Sequence, residues 1–197
     1  MSDVFFKPWV GVKYASGARF GKRVMVLGES HYEWDPKVKL YPEFTRAAIE
    51  EQAAGKHTYA FWTHVATAFL GHSPTLAEKR EFWDAVAFYN FVQQVVDGGP
   101  RVAPSDAMWK ASEGAFAEVL NDLAPQVLIV LGYRLWHQVP RLAGAEDAPI
   151  VGAPQQRLWR YSLSSGGTCL AYGIRHPSSG FSGRGWHPHI VEAIRRA

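Results

Sequence analysis

Two short segments of this 197-residue chain combine residue types that could bind and transform a polar organic group. The first is Gly28-Glu29-Ser30-His31-Tyr32, which directly follows a short apolar run. The second spans residues 174–186 and contains one histidine, three serines, three glycines, two arginines and two aromatic residues. A simple connection between elements rarely needs so many special residues. We therefore treat the two segments as halves of one binding site.

Three side chains are the candidates for chemistry. Glu29 could be a general base or accept a hydrogen bond from a ligand, and the alternative is a helix-capping or salt-bridged carboxylate. Asn90 carries a donor and an acceptor on one amide, which matches the amide edge of a pyrimidine, and the alternative is a buried residue that ties down a loop. His176 could donate to a developing oxyanion, with a structural histidine as the alternative.

The second segment also offers groups for phosphate binding. The hydroxyls of Ser178, Ser179 and Ser182 and the guanidinium of Arg184 could hold phosphates together with backbone amides. The alternative is ordinary turn chemistry, in which serine is common.

Metal and cofactor binding are not expected. His187-Pro188-His189 and the pair His57 and His64 lack a third ligand at a matching spacing. The single cysteine, Cys169, excludes an internal disulfide and any four-cysteine zinc or iron–sulfur site.

Length and composition indicate one domain over residues 1–197, with an irregular lead-in over 1–21. The net charge of +3 and the isoelectric point near 9.0 permit a polyanionic partner. No apolar run approaches membrane-spanning length and the N-terminus lacks a signal-peptide pattern, so a cytoplasmic protein without membrane contact is expected.

Apolar runs predict four buried strands, over 23–27, 86–92, 127–132 and 168–174, with 158–163 as a candidate edge strand. Helical spacing and start and stop signals predict helices over 44–53, 58–70, 76–83, 105–123, 133–139 and 187–196. Thr75 and Glu78 are spaced as in a capping box. Strands separated by helices predict an α/β fold with a mainly parallel sheet.

Ligands of open parallel sheets bind beyond the carboxyl ends of the strands. The predicted strands end in unusual polar residues, which are Gly28–Tyr32, Asn90, Gly132–Arg134 and His176–Ser178. The predicted sheet therefore brings the candidates to one edge.

These motifs resemble the uracil-DNA glycosylase superfamily. In that family a His-Pro-Ser loop follows the last strand and an Arg-Gly-aromatic sequence follows it, as His176-Pro177-Ser178 and Arg184-Gly185-Trp186 do here. Gly28, Glu29 and Tyr32 match a first motif of the Gly-Gln-Asp-Pro-Tyr or Gly-Glu-Ala-Pro-Gly type. Asn90 matches an asparagine that ends the second strand, and the run through Gly132 is similar to the third. The resemblance covers roughly residues 22–196.

The resemblance implies a single-domain, three-layer α/β/α sandwich around a mainly parallel four-stranded sheet, with a flipped base bound at its edge. Asn90 would recognise the base, together with Gly28, Ser30 and Tyr32. His176 would stabilise negative charge on the departing base. Ser178 and its neighbours would contact the DNA backbone.

The chain departs from the family pattern in the first motif and in the closing loop. Ser30 stands where the water-activating aspartate is found, and His31 stands at the following proline. Gly180 occupies the position of the intercalating leucine, so Phe181 is the candidate wedge. The four cluster-binding cysteines of the thermostable branch are absent.

The sequence thus predicts a monomeric DNA glycosylase that excises an unusual or modified base from single- or double-stranded DNA. Glu29, with His31, would position or activate water, and Phe88, Phe91 or Tyr32 would stack on the base. Two alternatives are a catalytically silent module that binds uracil-containing or modified DNA, and a pocket for a free nucleotide or nucleoside.

Overall fold

The computed structural model describes residues 3–32, 41–56, 59–97, 99, 102–142, 146–149 and 157–197. Its strands are β1 (Trp9–Val10), β2 (Val24–Gly28), β3 (His31–Tyr32), β4 (Val86–Asn90), β5 (Val95–Val96), β6 (Val127–Leu131), β7 (Glu146–Pro149), β8 (Arg157–Ser162) and β9 (Thr168–Ile174). Its helices are α1 (Phe44–Ala53), α2 (Ala60–Leu70), α3 (Leu76–Ala85), α4 (Asp106–Ala111), α5 (Glu113–Leu123), α6 (Tyr133–Gln138) and α7 (Gly183–Arg196). None of the helices in these ranges is long and apolar enough to cross a membrane.

Four parallel strands form the centre of the sheet, in the order β4-β2-β6-β9. Every residue of β2, β4 and β6 is buried. Strands covered on both faces are continuous apolar runs, which is why the sequence predicts them. The mixed α/β fold and the mainly parallel sheet are confirmed. The second predicted strand ends at Asn90, two residues before the predicted Val92.

Three further strands, each paired antiparallel to its inner neighbour, extend the sheet to seven, in the order β1-β4-β2-β6-β9-β8-β7. The first of them, β1, pairs with β4, and β8 and β7 continue beyond β9. The predicted number of four strands is therefore wrong, and the lead-in over residues 1–21 is not wholly irregular because it contributes β1. Two-residue β1 is too short for any apolar period, and β7 lies in a proline- and glycine-rich stretch.

Helices cover both faces because strand side chains alternate between them. Val24 and Val26 of β2 pack into a core with residues of α1, α2, α3 and α7. Met25 and Leu27 pack into a second core with α4, α5 and α6. The loops that follow the parallel strands are therefore supported by close-packed layers on both sides.

Helix ends follow the predicted signals with two corrections. The capping box is present, since Thr75 Oγ1 accepts from the amide of Glu78 at 3.2 Å and the Glu78 carboxylate accepts from the amide of Thr75 at 2.8 Å. The predicted helix over 105–123 is divided into α4 and α5 at Ser112. The closing helix begins at Gly183 rather than 187, because Ser182 caps it and Pro188 is accommodated within it.

Replacement of Gly173 by alanine tests the contact between β9 and α6. A methyl group there would lie 2.6 to 2.9 Å from the Trp136 ring. We expect Gly173→Ala to lower the free energy of unfolding by about 1–3 kcal/mol, because the ring must shift in a packed layer. Urea denaturation measures this change.

Gly167→Ala is the matched control, since the nearest atom to its new methyl group would be Ser165 Oγ at 3.8 Å. Its stability should stay within about 0.5 kcal/mol of the parent. Equal midpoints for the two variants would contradict the close contact between Gly173 and Trp136.

Candidate functional site

The carboxyl ends of the four parallel strands bring the predicted halves of the site to one edge of the sheet. Gly28 of β2 is in register with Asn90 of β4. Leu131 at the end of β6 is in register with Ile174 of β9, and the amide of Gly132 donates to the Ile174 carbonyl at 2.8 Å. Glu29, Arg134 and His176 therefore follow neighbouring strands of one rigid sheet.

Glu29 is a buried carboxylate bound by a single arginine. Only 7% of its side chain is exposed, whereas 44% of the Arg134 side chain is exposed. Arg134 Nε donates to Glu29 Oε2 at 2.8 Å, and Arg134 Nη2 donates to Oε1. Because an unpaired buried charge is costly, this two-pronged contact stabilises Glu29 in place. Hydrogen bonding to Glu29 also raises the pKa of Arg134.

Tyr32 completes the surroundings of this ion pair. Its hydroxyl donates to Glu29 Oε1 at 3.4 Å. Burial, reinforced by the Glu29 carboxylate, raises the pKa of Tyr32, so the hydroxyl stays protonated and available as a donor. The hydroxyl of Ser30 is buried beside Tyr32.

His176 is oriented as a neutral donor. Its Nδ1 accepts from the amide of Ser178 at 3.2 Å, so the proton of the neutral ring is on Nε2. A methyl group at Gly132 would lie 3.3 Å from Cβ and Cδ2 of His176, and the Phe61 ring centroid is 5.5 Å away. Burial lowers the pKa of His176; Glu29 opposes this effect and Arg134 adds to it. The imidazole can therefore donate through Nε2 without carrying a positive charge.

His31 lies in a mostly buried aromatic environment rather than against Glu29. The ring edges of Phe6 and Phe44 surround it at centroid distances of 4.6 and 5.0 Å, and its Nε2 is 2.8 Å from Thr45 Oγ1. Burial lowers the pKa of His31 to about 4. The described contacts give it a positioning role and no hydrogen bond to the carboxylate with which it was predicted to act.

Asn90 packs between His31 and Gly28, and only 6% of it is exposed. Its Nδ2 lies 3.3 and 3.1 Å from the two ring nitrogens of His31. A nitrogen atom at these distances from both ring nitrogens cannot lie in the plane of the ring, because it would clash with the carbon between them. The Asn90 amide therefore lies over the face of the imidazole. A methyl group at Gly28 would lie 2.2 Å from Asn90 Oδ1, which explains the glycine. The backbone carbonyl of Asn90 accepts from Gln93 Nε2 at 2.7 Å, so the side chain that ties down this loop is Gln93.

The aromatic residues proposed to stack on a base lie at different depths. Phe88 and Phe91 are fully buried, one in each core, with Phe88 packed on Trp62 and Phe91 on Phe116. Tyr32 is half-buried at the site. Phe61 is the aromatic residue that reaches His176, and the sequence prediction missed it because its helical spacing indicated only a core position.

The serines of the closing loop have distinct positions. Ser178 and Ser179 are exposed, and the amide of Ser179 donates to the carbonyl of His176 at 3.0 Å. Ser182 Oγ accepts from the amide of Gly185 at 3.1 Å and so caps α7. All three hydroxyls were predicted to contact phosphate. At Ser182 the hydroxyl already caps α7.

The rest of the closing loop is held by contacts with α2 and with the hydrophobic core. His64 Nδ1 donates to the carbonyl of Pro177 at 2.9 Å, which attaches the loop to α2. Phe181 stacks nearly parallel to Trp186 with ring centroids 6.4 Å apart and packs against the core. Arg184, predicted to lie in the loop, is exposed on the first turn of α7.

The site predicted from the sequence includes Glu29 but not its partner, Arg134. It stands in the polar triplet Gly132-Tyr133-Arg134 after β6, which was the available signal. Within the described ranges, no three His, Cys, Asp or Glu side chains come together in a metal-like group. Comparison of the chain with models of known protein families and with curated proteins finds no match.

The buried position of His31 predicts a stability loss in mild acid. An unfolded histidine takes up a proton near pH 6.5, whereas folded His31 stays neutral until about pH 4. Between these values the unfolded chain binds one more proton, so this stability is complete above pH 6.5 and falls with pH by up to about 3 kcal/mol. Urea denaturation at intervals between pH 7 and 4.5 measures the slope.

His31→Gln removes this titration and should flatten the curve over the same interval. His137→Gln is the control, because His137 is exposed on α6. Its curve should run parallel to that of the parent protein. Parallel curves for all three proteins would rule out the buried neutral state of His31.

Proposed function

We propose that this chain is a divergent uracil-DNA glycosylase-like protein that excises an unusual, deaminated or modified base by hydrolysis of its N-glycosidic bond. The proposed fold is the three-layer sandwich of that superfamily, with its sheet extended by antiparallel strands. The observation that carries the proposal is the placement of neutral His176, with its Nε2 proton available, beside a buried carboxylate at the carboxyl edge of parallel strands.

In the proposed reaction, the bond between the sugar C1′ and the base nitrogen breaks and its electron pair stays with the base. The base carbonyl oxygen then gains negative charge, which Nε2–H of His176 stabilises by a hydrogen bond. Water adds to C1′, and the proton that it loses ends on the departed base. A preorganised donor of this kind typically contributes about 10²–10³-fold in rate.

Glu29 supplies a fixed negative charge next to the sugar, which is positively charged as the bond breaks. Arg134 takes one lone pair on each carboxylate oxygen and the Tyr32 hydroxyl takes the second on Oε1, so the remaining lone pair of Oε2 can orient the attacking water. Tyr32 and Asn90 form the wall that recognises the base. Exposed Ser178, Ser179 and Arg184 are the candidates for phosphate contacts.

A second candidate function is a module that binds modified DNA without cutting it. The observation that favours it is the engagement of Glu29 by Arg134 and Tyr32, together with a serine at position 30 in place of a second acid. A carboxylate so occupied is a poorer base than a free one. In this case the same pocket would hold a flipped base intact.

Incubation with oligonucleotides tests the two candidates directly. The substrates carry uracil, hydroxymethyluracil, hypoxanthine or xanthine, and alkaline cleavage detects abasic sites. We expect release of at least one base, with a loss of about 10²–10³-fold in His176→Ala and Glu29→Gln. Full activity in either variant would exclude the proposed roles.

His72→Ala and Glu81→Gln are matched controls, because both residues are exposed, in the loop that precedes α3 and on α3 itself, and pair with Glu78 and Arg19 rather than with residues of the site. They should retain parental rates. Salt-dependent binding of modified DNA without any abasic product would favour the binding module over the enzyme.

A further inference from the structure

The guanidinium of Arg134 uses only one of its two bidentate edges. A guanidinium has five N–H donors in one plane, arranged so that Nε and Nη2 form one edge and Nη1 and Nη2 form the other. The first edge is bound to Glu29. Besides Glu29, the Tyr32 hydroxyl is the described group that hydrogen-bonds to the guanidinium, which leaves N–H donors over, and the side chain is 44% exposed.

Arg134 is held in a fixed orientation because its partner is buried. The two contacts to Glu29 define the plane of the guanidinium, and an exposed pair would not restrict it so strongly. The Tyr32 hydroxyl lies next to both charged groups. The unused edge is therefore presented in one direction and carries no ordering cost at the moment of binding.

The junction between β6 and α6 also lies against His176. Arg134 is two residues beyond Gly132, where an added methyl group would lie 3.3 Å from Cβ and Cδ2 of His176. The Gly132 amide is tied to the Ile174 carbonyl of the strand that precedes His176. Two donor groups, one cationic and one neutral, thus stand on adjacent strand ends of the same edge.

We propose that the free edge of Arg134 and Nε2–H of His176 form an oxyanion-binding pair, and that Glu29 is the anchor that positions Arg134. The ligand chemistry is an oxygen atom of a nucleotide that carries negative charge. It can come from the carbonyl oxygen of the base or from a phosphate. The inference deepens the proposed function and rests on it for the class of ligand, but binding does not require turnover.

Titration calorimetry with three small probes tests the pair on the full-length protein. The probes are inorganic phosphate, 5-nitrouracil, which is ionised at neutral pH, and uracil, which is not. We expect the protein to bind at least one of the two anions more tightly than it binds uracil. Preference for 5-nitrouracil assigns the oxygen to the base, and preference for phosphate assigns it to the backbone.

Variants of Arg134 separate charge from geometry. Arg134→Gln should weaken anion binding on the order of 10- to 100-fold, because it removes charge-assisted hydrogen bonds. Arg134→Lys keeps the charge but lacks the planar fork, so an intermediate loss is expected. Arg195→Gln is the control, since Arg195 is exposed at the far end of α7. It should bind as the parent does.

Glu29→Gln tests the anchor. If Glu29 positions Arg134, this variant weakens anion binding even though a nearby negative charge has been removed. Simple repulsion predicts the opposite, so tighter binding in Glu29→Gln would overturn the anchoring role. Glu29→Gln also tests the proposal if Arg134→Gln does not fold. Thermal denaturation of each variant shows whether it is folded.

Two results would overturn the oxyanion pair: binding of neither anion by the parent protein, or unchanged binding in Arg134→Gln and Arg134→Lys. The results that would overturn the proposed function are different ones. Anion binding that depends on Arg134, without release of any base, would support the pair and remove the glycosylase activity. Base release that is indifferent to Arg134 would support the activity and remove the pair.

Discussion

The buried ion pair between Glu29 and Arg134 is the interaction on which this site depends. It joins the end of β2 to the start of α6, two elements 105 residues apart in the chain. A carboxylate that is only 7% exposed needs a partner of opposite charge. The two parallel hydrogen bonds from Arg134 provide this charge and also fix the relative orientation of the two side chains. Loss of either partner is costly, because it would leave the other charge without its partner.

The parallel sheet makes this contact possible. Four adjacent strands run in one direction, so their carboxyl ends meet at a common edge and carry Asn90, Glu29, Arg134 and His176 to it. Glycines allow the close approaches: Gly28 admits the Asn90 amide and Gly132 admits the His176 ring. The helices on both faces then hold these loops against packed cores, so the polar groups are positioned by apolar burial.

The polar groups of the edge differ in charge: burial favours the neutral form of the two histidines, whereas a guanidinium stays protonated. His31 is enclosed by Phe6, Phe44 and Asn90, and its burial favours the neutral ring. His176 is less enclosed, receives the Ser178 amide on Nδ1 and so keeps its proton on Nε2. Arg134 is the most exposed of the three and retains its charge. Such a series, from a buried neutral ring to an exposed cation, suits a site where negative charge develops on a ligand.

The sequence by itself determined the α/β class, the four central strands and the polar residues at their ends, because burial on both faces imposes continuous apolar runs. It also determined the Thr75 capping box, whose partners are three residues apart. The candidate edge strand over 158–163 is likewise found, as β8. Only the tertiary structure decided β1 and β7, the early start of α7 and the pairing of Glu29 with Arg134. These depend on contacts between distant residues or on elements too short to have a period. A carboxylate has the same local sequence whether its partner is water, a ligand or an arginine, and folding alone selects among them.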